Sequence, residues 1–428
     1  MFKFKINPWM YLFITFALFI IAGTFLLKMP FVKHTEGLSY IDALFTATSA
    51  VCVTGLIVVD TSGFNFWGQF FIMLMMQVGA IGIMTLTSSL LLFLRGELDF
   101  SRKFMVAKIS DSLNIQEAEK VLVIVVIYTF VMEFVGFLAL SYGFFLDGFA
   151  LKDAAYYGLF HAVSAFCNAG FSTFDSSLIG SNSIVKVTTM FLIVFGGLGF
   201  YVIYNIFMTF VSNERIKVHT KIVVYTTFAL IIAGTLLIFM LEKGTMSILD
   251  SFFQSITTRT AGFNTVEIGG LHIVTKFLMI VLMIIGASPG STGGGIKTTA
   301  FYIAVVSMYS ILRGNKRIVI FNRNIALINI LKAYALISMY IFFLVIATLL
   351  LLYFGDFTFM DTLFEVTSAL GTVGLSLGIT AKLGIFGKLI ITACMFLGRI
   401  GPATLITMLL LKEKTSKLSY PEEKIILG

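Results

Sequence analysis

The sequence predicts an all-α integral membrane protein. It reads as four parallel helix–pore-loop–helix repeats, eight transmembrane helices plus four re-entrant pore helices, around a pseudo-fourfold pore. Three observations carry this. Of the 428 residues 58% are apolar and only 12% charged, and a mean hydropathy of +0.99 means more apolar surface than a soluble core of ordinary proportions can hide. Apolar runs come in pairs, each run long enough for the ~20 residues that cross hydrocarbon. Between the members of each pair lies a cassette in which Phe45, Phe160, Phe252 or Phe364 stands ten residues before Gly55, Gly170, Gly262 or Gly374.

The first runs cover about 9–28, 120–146, 221–242 and 331–354, and the second about 66–95, 183–211, 272–313 and 386–412. The repeats are bounded at 1–103, 104–216, 217–324 and 325–428. The run at 9–27 follows Lys3 and Lys5 and leads into Lys28-Met29-Pro30 rather than a small-x-small cleavage site, so it reads as a retained helix. The cassettes cannot cross, because a helix over 39–52 is only ~20 Å long at 1.5 Å per residue. They enter and turn back. Ser39-x-x-Asp42, Ser247-x-x-Asp250 and Thr358-x-x-Asp361 place a hydroxyl N-cap and an acid at the positive end of the helix dipole. The second copy has Ala150 before Asp153 and is expected to start less firmly.

Each second run carries glycines, Gly79-Ala-Ile-Gly82, Gly196-Gly-Leu-Gly199, Gly286-Ala-Ser and Gly398-Arg-Ile-Gly401, a spacing that packs helices closely. The third second run is too long. An unbroken helix over 272–313 would span ~63 Å, about twice the hydrocarbon thickness. A break is expected at the glycine-rich segment 286–299, where irregular backbone must be lined by protein or a water-filled cavity.

The net charge of +8 is mostly topology. With the N-terminus inside, most Lys and Arg fall in the tail and the short loops at 95–108, 215–221 and 313–323, whereas Glu36, Asp60, Asp175, Glu242, Glu267 and Asp356 fall opposite. No aromatic-interleaved basic patch points to nucleic acid. Cys52, Cys167 and Cys394 sit in apolar surroundings and read as packing residues rather than a disulfide or metal set. No nucleophile–base set marks an enzyme, and Glu133 reads as the one mid-span carboxylate.

An ion shedding its water can be received by backbone carbonyls if the chain adopts a conformation that glycine permits. The lining is then Val53, Thr54 and Gly55; Asn168, Ala169 and Gly170; Thr260, Ala261 and Gly262; Thr372, Val373 and Gly374, within turns at 53–56, 167–171, 259–263 and 371–375. The negative ends of four pore helices point at the cation. The plainer alternative makes the glycines helix C-caps. Arg399, costing roughly 2.5–3.5 kcal/mol near mid-membrane, is placed below the lining beside the glycine loop as a barrier to cations, or alternatively in an ion pair with Glu133. Gly290, Ser291, Thr292, Gly293, Gly294 and Gly295 have phosphate-loop spacing, but Ile296 intervenes before Lys297, so a polar gate fits better than a nucleotide site. Arg259 is expected to pack behind the lining, with Asp250 or Glu267 as a partner.

Val-Thr-Gly-Leu, Asn-Ala-Gly-Phe, Arg-Thr-Ala-Gly-Phe-Asn and Gly-Thr-Val-Gly-Leu resemble the four filter loops of the Trk/Ktr/HKT potassium transporters. The glycine-rich break and Phe396-Leu-Gly-Arg-Ile-Gly-Pro402 are similar to the same family, and eight spans without an extra N-terminal hairpin look most like its Ktr B-type (KtrB) membrane subunits. The resemblance implies potassium uptake, with K+ bound only at the filter carbonyls and no covalently bound cofactor. It also implies a homodimer in the bacterial cell membrane, both termini cytoplasmic, attached to a cytosolic RCK-type nucleotide-binding regulatory ring (KtrA-like). A Na+-coupled or Na+-dependent symporter of the same fold is the alternative. Gly55 in place of serine favours potassium.

Overall fold

The computed structural model of the protein describes residues 8–35, 37–82, 115–315 and 317–401. The far ends expected for the first and fourth second runs, the 95–108 loop and both chain ends lie outside the described residues.

Four groups of elements follow one another. The first is α1 (Pro8–Leu27), the short α2 (Tyr40–Val51) and α3 (Phe66–Ile81). Next come α4 (Ile115–Leu146), the short α5 (Leu151–Phe166), α6 (Ser183–Gly197) and α7 (Phe200–Ser212). The third is α8 (Val218–Leu241), the short α9 (Ile248–Thr257), α10 (Ile273–Ile284) and α11 (Thr298–Leu312), closed by a small hairpin of β1 (Val319–Ile320) and β2 (Arg323–Asn324). The last is α12 (Leu327–Phe354), the short α13 (Phe359–Gly371) and α14 (Ile385–Ile400).

Burial runs opposite to a soluble protein. The long helices α1, α4, α8 and α12 are apolar all round and bury only 22–39% of their most apolar windows, leaving Leu18, Phe25, Phe134 and Leu349 facing outward. The short helices bury most of their residues, chiefly toward their C-terminal ends, and carry hydroxyls and amides among the apolar ones. A shell of apolar helices around a polar-flecked centre is what a bilayer selects.

The caps form at Ser39, Ser247 and Thr358, whose side chains accept the amides of Asp42 (3.1 Å), Asp250 (3.0 Å) and Asp361 (3.2 Å). Ala150 supplies none, yet α5 is the longest of the four short helices. Farther along the helix Gly158 sits so close to Ser141 of α4 that a Cβ there would lie 2.7 Å from the Ser141 nitrogen.

Among the described residues four helices, or five if the pair α6–α7 counts as one bent span, are long and apolar enough to cross a membrane; the expected first and fourth second runs continue outside the described residues. The glycine pairs of the second runs do two jobs. Gly79, Gly196 and Gly398 let the backbone of α3, α6 and α14 rest on the carbonyls of Val51, Phe166 and Leu370 at the ends of α2, α5 and α13. Three residues on, Gly82 (φ 84), Gly199 (φ 91) and Gly401 (φ 84) take a conformation reserved for glycine, and each ends or turns its helix. At Gly199 the chain bends by 92° between α6 and α7. Breaking is therefore not peculiar to the third group.

Neighbouring groups are tied by the fourth residue of a second helix. Lys186 of α6 pairs with Asp250 of α9 at 2.7 Å, Lys388 of α14 pairs with Asp42 of α2 at 2.6 Å, and Gln69 of α3 accepts from the Tyr156 hydroxyl of α5 at 2.6 Å. The Lys388 pair joins the fourth group to the first. Burial pushes the Asp42 carboxyl up, but Lys388 and Ser39 together outweigh it and hold it below the ordinary carboxylate value. A carboxyl held low stabilises the fold above its unfolded pKa and loses that contribution as pH falls through the folded value. Lys388→Met should therefore lower the thermal unfolding midpoint at pH 7 by the equivalent of about 1 kcal/mol. The gap between wild type and variant should close as pH falls below ~4; a gap of equal size at both pH values would refute the assignment.

Candidate functional site

Each short helix ends in the same turn. The residue two before the glycine is left-handed in all four copies, Val53 (φ 55), Asn168 (φ 58), Thr260 (φ 71) and Thr372 (φ 49). The glycines are left-handed too, Gly55 at 90, Gly170 at 69, Gly262 at 80 and Gly374 at 92. For Val53, Thr260 and Thr372, β-branched residues, this costs ~1–2 kcal/mol apiece and persists only where the surroundings impose it. Asn168 is helped by its own side chain, whose amide nitrogen is placed to donate to the carbonyls of Ala165 (3.0 Å) and Ile193 (3.2 Å).

The helices are closed by these left-handed residues and not by the glycines. The amides of Thr54, Ala169 and Val373 reach back to the carbonyls of Ser49, Ser164 and Ser368 at 2.8 Å, the long bond of a Schellman closure. Ala261 makes a shorter loop to Thr257 at 3.0 Å. The C-cap alternative for the glycines therefore fails, because they stand beyond the caps.

The ten-residue ruler also needs correction in the third copy. Phe45, Phe160, Phe253 and Phe364 are fully buried, whereas Phe252 is 37% exposed. Counted from the caps, Phe253 follows Ser247 by the same six residues that separate Phe45 from Ser39 and Phe364 from Thr358. The third helix keeps its register and its turn is one residue shorter.

Four residues after each buried phenylalanine stands a hydroxyl, Ser49, Ser164, Thr257 and Ser368, that braces its turn. Gly55 and Gly374 donate their amides to Ser49 and Ser368 at 3.0 Å, while Ser164 and Thr257 donate to the carbonyls of Phe171 (2.7 Å) and Phe263 (2.6 Å).

The turns meet one another in cyclic order. A side chain on Gly55 would collide with the Ala169 carbonyl oxygen. On Gly170 its Cβ would lie 2.8 Å from that of Ala261, on Gly262 2.6 Å from that of Val373, and on Gly374 it would collide with that of Thr54. Each glycine thus leaves room for the carbonyl oxygen of the next turn, and the fourth closes on the first. The hydroxyls of Thr54, Thr260 and Thr372 are buried without a hydrogen-bond partner. Above the ring opens a cavity of about 470 Å³ floored by all four glycines and edged by Asp60, Asp175 and Glu267.

On the other side lies the broken segment between α10 and α11. Gly286 donates to Ile296 at 3.0 Å and Ile296 to Ile284 at 3.1 Å, so the loop closes on itself. Its outer edge docks into the bend at Gly199: Ser288 donates to Gly197 (3.2 Å), Thr292 to Gly196 (3.4 Å), and Phe200 to Gly290 (3.0 Å). Gly293 and Gly294 press so closely on the Thr260 and Thr372 hydroxyls that neither could carry a side chain. Ser291 donates to Ser288 at 2.7 Å and Lys297 to the Gly293 carbonyl at 2.7 Å. Gly295 is left-handed at φ 71.

Arg399 reaches this loop, donating to the Thr292 carbonyl and to those of Gly79 (2.5 Å) and Ala80 (3.2 Å) at the negative end of α3. Glu133, its alternative partner, accepts instead from Gln77 at 3.0 Å and lies 3.9 Å from the Cys167 thiol. Arg259 is buried with its Nη2 3.4 Å from the Gly286 carbonyl. Neither acid suggested for it serves: Asp250 pairs with Lys186, and Glu267 edges the cavity on the opposite side of the ring from the broken segment.

Several residues of the site are not those the sequence reading singled out. The four bracing hydroxyls sit between the phenylalanine and the glycine of each cassette, four residues after Phe45, Phe160, Phe253 and Phe364, and that fixed spacing is the available signal. Glu133 is not the one buried carboxylate, since Glu365 of α13 is fully buried as well; it sits in a short helix, not in a span, and a hydropathy scan of spans passes over it. Among the described residues no group of three or more His, Cys, Asp and Glu is placed to hold a metal ion.

Ser49→Ala would leave the buried Gly55 amide without its acceptor. It should destabilise the protein by about 1–3 kcal/mol, read as a lower thermal midpoint in detergent, whereas Thr46→Val, which removes a hydroxyl that already lacks a partner, should change it far less. Equal shifts would refute the bracing role.

Comparison with known proteins now bears on this geometry. A family model described as TrkH, cation transport protein, matches residues 7–418. Ktr system potassium uptake protein B of Vibrio alginolyticus is 37% identical, covering 96% of this chain and 92% of that protein. Its namesake in Bacillus subtilis is 35% identical over 99% and 97%, and the potassium/sodium uptake protein NtpJ of Enterococcus hirae is 34% identical over 96% and 95%. The crystal structure of the potassium transporter TrkH from Vibrio parahaemolyticus shares the fold, with a TM-score of 0.74 at 20% identity over 96% of this chain and 86% of that one. The chain therefore belongs to the TrkH family of cation transport proteins, as a membrane protein that moves ions and not as an enzyme.

Proposed function

We propose that this protein takes up potassium through a selectivity filter made by the four glycine turns. The reading rests on one observation above the others: every filter glycine leaves room for the carbonyl oxygen of the next turn, in a closed order. Four inward peptide oxygens, in turns whose alternating handedness lets successive peptide dipoles share one side of the chain, can replace the water shell of a cation and repel anions. The unspent hydroxyl oxygens of Thr54, Thr260 and Thr372 and the acidic rim of the outer cavity support the same sign of charge. An inside-negative potential supplies roughly 2.3 kcal/mol per charge per 100 mV.

In this reading the chain is four repeats, 1–103, 104–216, 217–324 and 325–428, around a pseudo-fourfold pore, and the segment 290–295 with Lys297 and Arg399 is the gate. The contact of Gly293 and Gly294 with filter residues, and the guanidinium held at Thr292, support a plug that must move before ions pass. The protein works as a homodimer in a bacterial cell membrane with both termini cytoplasmic. A KtrA-like RCK ring controls it, a proposal supported by the Ktr-system relatives. Sodium coupling is the alternative, and the potassium/sodium name of the Enterococcus relative makes it worth the same assay.

Expressed in a transport-deficient host, the unmodified protein should favour potassium over sodium, and Gly55→Ser should cut that preference about tenfold, or ~1.4 kcal/mol. Equal uptake of the two ions by the unmodified protein would overturn the reading. Shortening the loop within 290–295, or Arg399→Gln, should raise ion flux; unchanged or lower flux in a folded variant would remove the gate assignment.

A further inference from the structure

The residue following each buried phenylalanine is polar and buried in all four short helices: Thr46, His161, Gln254 and Glu365. In two of the four it does the same job. Glu365 accepts from Ser376, two residues beyond Gly374, at 2.8 Å, and also from Thr380. The Ser376 oxygen in turn accepts the Gly378 amide at 2.9 Å. In the second copy His161 lies 3.0 Å from the hydroxyl of Ser172, two residues beyond Gly170, and Ser172 accepts the Phe174 amide at 3.0 Å. The Nδ1 of His161 faces the Tyr157 carbonyl at 2.8 Å. A carbonyl only accepts, so a ring proton sits on Nδ1; in the neutral ring Nε2 then takes the Ser172 hydroxyl, which also lies 3.5 Å from the Ser177 carbonyl.

The two assemblies are the same device in different chemistry: a buried acceptor on the short helix, a serine two past the glycine, and an amide two past the serine. The first and third copies lack it. Ile57 stands where the serine would be in the first, and the Thr46 hydroxyl has no partner. In the third, Asn264 stands there, and both side-chain polar atoms of Gln254 are without partners. The ring is thus held from behind at its second and fourth turns, which occupy opposite corners in the cyclic order.

We infer that Glu365 and His161 are positioning residues for selectivity, fixing the outer ends of the second and fourth turns through Ser376 and Ser172 and so setting where those carbonyls stand. This rests on the filter reading above. Neither side chain touches the ion in it; each acts through its serine. Because an ion cage discriminates by the placement and freedom of its oxygens, releasing one corner should cost discrimination before it costs transport.

The test measures potassium and sodium uptake by the full chain in a transport-deficient host, with monodispersity of each variant checked in detergent. Glu365→Leu and Ser376→Ala should each reduce the potassium-over-sodium ratio by about fivefold or more, and the double variant should lose no more than either alone, because the two act as one unit. Glu365→Gln, which keeps an acceptor in place, should stay within about twofold of wild type, as should Thr46→Val at the equivalent position without a serine. A folded Glu365→Leu that keeps its ratio, or single losses that multiply in the double variant, would overturn the inference. Should Glu365→Leu fail to fold, an unaltered ratio in Ser376→Ala overturns it equally. Failure of the unmodified protein to discriminate would instead bring down the filter reading on which this one rests.

Discussion

Everything in this molecule is arranged around four places where a backbone oxygen occupies the space a side chain would need. The contact of Gly55, Gly170, Gly262 and Gly374 with the carbonyl of the next turn is possible only if four chain segments arrive at one point at the same depth. That demand sets the length of the short helices, whose hydroxyl caps fix one end and whose left-handed closures fix the other. It also sets the second helices, which come near enough to support those closures only because Gly79, Gly196 and Gly398 expose bare backbone to them.

The left-handed residues before the glycines carry a conformational cost in three β-branched side chains. Such strain is held by what surrounds it: the Schellman bonds to Ser49, Ser164 and Ser368, the hydroxyl braces, and the full burial of Val53, Asn168, Thr260 and Thr372 themselves. The same logic applies on the loop side of the ring. A guanidinium in apolar surroundings is tolerable because three carbonyls, two of them at the end of α3, take the place of a carboxylate. Charge is balanced there by peptide dipoles, which leaves Glu133 to its own contacts with Gln77 and Cys167.

Much of this is readable from residues alone because repetition amplifies it. One hydroxyl before an acid is a weak cap signal, but three at matching positions, Ser39, Ser247 and Thr358, mark where three of the four short helices begin. What escapes is of two kinds. The first is a one-residue change: Phe252 and Phe253 are adjacent and alike, and only burial tells that the third turn has lost a residue. The second is the meaning of paired glycines, where spacing predicts close packing and gives no hint that the second member bends α6 away by 92°. Arg399 is readable as a neighbour of the glycine loop, but the α3 carbonyls it also meets, and the Gly286 carbonyl beside Arg259, are not, since backbone carbonyls leave no mark on sequence.

The ion pair between Lys388 and Asp42 joins residues 346 positions apart. During synthesis the first short helix must therefore wait, with one flank uncovered, until nearly the whole chain has been made. Contacts of such high sequence separation are slow to form and leave intermediates with exposed surface. A ring closed by its first and last members cannot mature segment by segment. Its closure waits for the last member to be made, and until then the seam between the first and fourth groups stays open.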